Sequence, residues 1–156
     1  MGLDMYLKAS KYVSGWKHNK ETKDYELFNK LAKELGIEEL VCKDSPSVNI
    51  DFTVCYWRKA NAIHQWFVDN VQDGKDECQT SDVSREQIKE LIDICKQVSA
   101  NHSLASNLLP TSSGFFFGGT DYSEYYFADL EDTITQLVKV LAILPEGWYL
   151  EYHTSW

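Results

Sequence analysis

The stretch Asp51–Phe67, DFTVCYWRKANAIHQWF, changes hydrophobic period part-way along. Val48, Ile50, Phe52, Val54 and Tyr56 alternate with Asn49, Asp51, Thr53, Cys55 and Trp57, the period of two that marks a strand. From Lys59 the period becomes helical, with Ala60, Ile63, Phe67 and Val71 along one stripe and Trp66 widening it. The stretch therefore reads as a buried strand turning into a helix over Lys59–Val71. Tyr56, Trp57, Arg58, Lys59, Asn61 and His64 gather at the junction.

Working outward, Leu3, Met5 and Leu7 alternate with Asp4, Tyr6 and Lys8, which reads as a half-buried first strand continuing through Tyr12 and Val13. Trp16–Thr22 reads as a loop. Asp24–Leu35 carries Tyr25, Phe28, Leu31, Ala32 and Leu35 at helical spacing, with Gly36 as its terminator. Beyond the central stretch, Gln72–Asp82 is polar and reads as the most flexible loop. Ser84 and Gln87 make a capping-box pattern ahead of Ile88, Leu91, Ile92, Cys95 and Val98. Asn101–Ser113 reads as a second loop. Gly114–Thr120 (GFFFGGT) is a strand or a tight buried passage. Asp121 and Glu124 suggest another capping box, before a helix that stops short of Pro145. Trp148, Leu150 and Tyr152 alternate with Tyr149, Glu151 and His153 in a closing strand.

The expected order is β-α-β-α-α-(β)-α-β. Alternation in the first and last strands favours a sheet covered on one side over a parallel sheet buried on both. The fold class is α+β: a small, mainly antiparallel sheet with about four helices packed on one face. With 156 residues, no repeat and no linker, residues 1–156 read as a single domain.

A net charge of −9 argues against binding long nucleic acid, which needs clustered Lys and Arg, but not against a small anion held by two or three cations. The four cysteines, Cys42, Cys55, Cys78 and Cys95, form no CxxC pair. No apolar run is long enough for a membrane span, and no signal peptide is evident. Together these suggest a cytoplasmic protein with reduced thiols and no membrane partner. Met1-Gly2 lacks the Ser or Thr that myristoylation wants at position six, where Tyr6 stands.

Arg58 and Lys59, where a strand ends and a helix begins, suit a phosphate or carboxylate. Trp57 offers a stacking surface. Asn61 and His64, three apart, share a helix face and suit polar recognition, and His64 suits donation to an anion or service as a base. The competing reading has solvated cations, with the Trp and His packed in the core. Tyr122, Tyr125 and Tyr126 form a second group, lining either a pocket or an interface. Gly114–Gly119 lacks both GxxxxGK[ST] and GxGxxG. The four histidines have no HExxH spacing, and Ser112-Ser113-Gly114 is no GxSxG elbow. No metal, cofactor or catalytic residue is expected.

The strings MGLDMYL, YWRKANAIHQWFVDNVQDG at Tyr56–Gly74, VSREQ, and LLPTSSGFFFGGTDYSEYYFADL at Leu108–Leu130 resemble a family of small proteins encoded by bacteriophages and prophages. The resemblance covers nearly the whole chain. It implies a phage accessory protein acting inside the bacterial host, and it carries over no catalytic residues. Some phage accessory proteins counter host defence as sponges that bind a nucleotide-derived immune signal without cleaving it. The leading expectation is such a sponge, with a homo-oligomer plausible. The alternatives are a hydrolase of a nucleotide or phosphoester signal, using His64 and an acid, and a protein-interaction inhibitor of a host enzyme.

Overall fold

The structure is a computed structural model and describes residues 2–18 and 23–156. Four strands, β1 (Asp4–Ser14), β2 (Ser47–Arg58), β3 (Ser81–Val83) and β4 (Tyr149–Ser155), form an open antiparallel sheet in the order β2-β1-β4-β3. The five helices are α1 (Asp24–Glu34), α2 (Asn61–Val71), α3 (Arg85–Ala100), the single turn α4 (Ala105–Leu108) and α5 (Glu124–Ile143). The class is α+β, with five helices among the described residues rather than four.

The described residues cluster into two compact units. The larger holds the chain up to Ala9 and again Thr53–Trp156; the smaller is Ser10–Phe52. In the smaller unit, α1 buries Phe28 and Ala32, and Gly36, in the left-handed region at φ 70°, ends the chain's helical run. Gly15 has no room for a Cβ, which would lie 2.8 Å from the Phe28 ring. Of the expected loop at Trp16–Thr22, residues 19–22 lie outside the described residues.

The larger unit contains the main core. Leu3, Met5, Leu7 and Ala9 of the first strand stretch are all buried, as their alternation predicts. Each large apolar side chain so buried contributes roughly 1.5–3 kcal/mol. Ile88, Leu91, Ile92, Cys95 and Val98 of α3 and Leu130, Leu137 and Val140 of α5 join them. Leu150 and Tyr152 of β4 complete the core, with the Tyr152 ring stacked on Phe67 at 3.9 Å.

The expected buried strand at Val48–Tyr56 is corrected in two respects. Most of β2 is not buried. Val48, Ile50 and Val54 are half-buried, on the expected even-numbered side, but Phe52 is 58 % exposed, and at the strand's end the buried residues are the odd-numbered Cys55 and Trp57. The cause is pairing. Lys59 N–H donates to Leu3 O at 2.8 Å and the Tyr6 and Tyr56 rings lie 5.4 Å apart, which puts the odd-numbered side chains of both strands on one face. The first strand's Leu3, Met5 and Leu7 claim that face for the core, so β2 follows.

Three further expectations change. Gly114–Thr120 is not a strand; the additional strand is β3, which begins at the end of the polar Gln72–Asp82 segment expected to be a loop and runs one residue past it, where Ser81, Asp82 and Val83 pair with Tyr152, Glu151 and Leu150. Asn101–Ser113 includes a 3-10 turn at His102–Leu104 and then α4. Asp121 does not cap α5. That helix starts at Glu124 with Ser123 in the cap position and no side-chain cap bond, leaving Asp121 outside the first turn. The Ser84–Gln87 capping box is present with both bonds, at 3.1 and 2.9 Å.

Candidate functional site

The junction after β2 is shaped by Lys59. Its φ of 61° lies in the left-handed region, uncommon for a residue with a side chain, and it delays the expected helix start to Asn61. Gly118, at φ 93°, lies against it: a Cβ there would stand 3.2 Å from Lys59 Cβ and 3.3 Å from Lys59 O. Close approach of two backbones therefore requires glycine at 118.

Asn61 binds this passage to α2. Its Nδ2 donates to Phe117 O at 3.1 Å and Gly119 O at 2.8 Å, and its Oδ1 accepts from Ser112 N–H at 3.0 Å. All the strong hydrogen-bonding directions of this buried amide but one acceptor lone pair are used. Phe117 is thereby drawn under the loop, edge-on to His64, while Phe115 remains 82 % exposed.

Between these elements and the start of α5 lies a cleft of about 520 Å³. Arg58, Lys59 and the first turn of α2 form one wall. Thr111, Gly118 and Gly119 form the second, and Asp121, Ser123, Tyr125, Tyr126 and Asp129 the third. Arg58 is largely exposed, and its Nε stands 4.0 Å from Asp4 Oδ1, a weak surface pair that leaves the guanidinium available. The first turn of α2 has neither an acidic residue nor a side-chain cap, so its N–H groups add positive potential on the same side.

Carboxylates balance these cations. Asp129 is pushed up to about 6, first by burial and then by the neighbouring Asp132. Tyr125, one helical turn before it, is 76 % exposed. The Tyr126 hydroxyl is turned away, donating to Leu109 O at 2.7 Å, and burial raises its pKa. The cleft thus has a cationic wall and an acidic and aromatic one.

Of the residues singled out in the sequence, the cleft brings together Arg58, Lys59, Asn61, Tyr125 and Tyr126. Trp57, His64 and Tyr122 are not among its lining residues. Trp57 is in the core, its Nε1–H donating to Thr133 Oγ1 at 3.0 Å. Tyr122 packs edge-on against Tyr126. His64 is fully buried: Nδ1 lies 2.9 Å from the Tyr152 hydroxyl and Nε2 2.9 Å from Asp76 Oδ2, whose other oxygen accepts from Trp156 Nε1–H at 3.0 Å. This chain joins α2, the 72–80 segment and the end of β4.

Asp129 and Thr111 were not selected in the sequence. The available signal for Asp129 was its spacing four residues after Tyr125, which puts an acid and an aromatic on one helix face. Nothing local marks Asp76 as the partner of His64. Among the described residues no group of three His, Cys, Asp or Glu side chains is placed to hold a metal ion, and no helix is long and apolar enough to cross a membrane. All four cysteines are free, and burial pushes the Cys55 and Cys95 thiols up to about 12.

Comparison with protein-family models, with curated proteins and with solved structures gave no match to this chain.

Proposed function

We propose that the Arg58–Lys59 cleft binds a small nucleotide-like anion and holds it without transforming it. The observation that carries this reading is the pairing of two cations, at a strand end leading into an uncapped helix, with a facing wall of Tyr125 and Asp129. Phosphate suits the cationic wall, and a planar base with hydrogen-bond donors suits the wall of Tyr125 and Asp129. The volume matches a mononucleotide-sized ligand, within the usual range for small-molecule pockets. The resemblance to phage proteins supplies the proposed purpose: withdrawing a nucleotide-derived immune signal inside the bacterial host.

A second reading, hydrolysis of that signal, is favoured by one observation. A carboxyl held near 6 is poised for proton transfer at neutral pH. Incubating the protein with a panel of nucleotides, heating it and identifying what is released separates the two. Intact nucleotide supports sequestration, altered nucleotide, bound or free, supports hydrolysis, and neither retention nor alteration of any nucleotide sinks both.

A further inference from the structure

We infer that Asp129 reads the edge of a guanine base, making the cleft selective for guanine nucleotides; this rests on the nucleotide-binding reading above and names its ligand class. Asp129 is half-buried on the cleft wall, and no described group donates to its carboxylate. Asp132 on the same helix repels it. Partial burial and Asp132 disfavour its ionised form, a penalty that a ligand donating to the carboxylate offsets.

The chemistry of that donor follows from the group. An ionised carboxylate is acceptor-only, with two oxygens side by side. Its complement is a pair of adjacent N–H donors in one plane. Guanine presents that pair, N1–H and the 2-amino group. Adenine presents a donor beside an acceptor, and its ring nitrogen would face a carboxylate oxygen. Tyr125 precedes Asp129 by one helical turn on the same face and is exposed in the same cleft, so its ring is placed to cover a base whose edge meets Asp129. Arg58 and Lys59 on the opposite wall then take the phosphate.

The test is calorimetric titration of the purified protein with GMP, IMP and AMP. Wild type is expected to bind GMP most tightly, with IMP, which lacks the 2-amino group, and AMP each weaker by about tenfold or more. Asp129→Asn keeps the shape but offers one donor and one acceptor, so the GMP preference is expected to collapse or invert toward AMP. Tyr125→Leu is expected to weaken all three alike. Equal affinity of wild type for GMP and AMP, as a carboxylate held on the ribose would give, overturns the guanine assignment while leaving nucleotide binding intact. An unchanged GMP preference in Asp129→Asn also overturns it. Failure of any nucleotide to bind overturns both readings.

Discussion

Asn61 holds the backbone of Ser112 through its Oδ1, at 3.0 Å, while its amide nitrogen bonds the carbonyls of Phe117 and Gly119. One side chain at the start of α2 therefore fixes both ends of the loop that walls the cleft. Asn61→Ala leaves one N–H and two carbonyl groups without their partner. Each buried group left unpaired costs about 1–3 kcal/mol, so we expect a total loss of roughly 3 kcal/mol after partial access by water. Urea denaturation measures it. Asn61→Asp is expected to be worse at neutral pH, because a carboxylate would face two carbonyl oxygens.

The His64–Asp76 contact, at 2.9 Å, is predicted to be structural. His64→Phe retains volume but removes the partner of both Tyr152 and Asp76, and is expected to cost about 2–4 kcal/mol. Nucleotide binding by the folded variant is expected to stay within about threefold of wild type, on the order of 0.6 kcal/mol. A much larger loss of binding in a variant that remains folded would instead give His64 a direct role in the site.

Gly114 allows the Phe117 ring to fold beneath the loop: a Cβ at 114 would overlap that ring. Gly114→Ala is therefore expected to expel Phe117 and cost about 1–3 kcal/mol, as overpacking does. Thermal unfolding reads the loss. Gly119→Ala, where a Cβ meets nothing within 4 Å, is the matched comparison and is expected to have little effect.

Much of this architecture is legible in the sequence. The alternation of Leu3, Met5 and Leu7, the stripe of α3 and its capping box are local patterns that tertiary packing reinforces. The end of β2 was misread because Val54 and Tyr56 are the more apolar-looking positions, and only pairing with the first strand turns Cys55 and Trp57 to the core. The site was half legible. Arg58 and Lys59 follow from their place between a strand and a helix. Trp57 and His64 looked equally reactive, but their neighbours Thr133, Tyr152 and Asp76 are remote in sequence, and those contacts make them core residues. Asp129 is conspicuous only once the cleft is formed.

The raised pKa of Asp129 has a definite consequence for stability against pH. Its folded value of about 6 exceeds the ordinary 3.8, so between these values the native state binds more protons than the unfolded state. Stability from this group is therefore fully present below about 3.8 and is lost as pH rises through about 6. Asp121, Arg58 and Lys59 share the cleft, and Asp132 adds its repulsion from the same helix. Asp129→Asn is expected to raise the Tm at pH 7.5 and to make little difference at pH 3.5. Melting curves at the two pH values check the sign.

The central claim, that the Arg58–Lys59 cleft holds a nucleotide and returns it unchanged, is tested most directly by heat release from the wild type and from Arg58→Ala after incubation with GMP. The account predicts that wild type retains GMP through desalting and releases it chromatographically intact, whereas Arg58→Ala retains at least tenfold less, a loss of about 1.4 kcal/mol. Equal retention by the two proteins, or no retention by wild type, would contradict it.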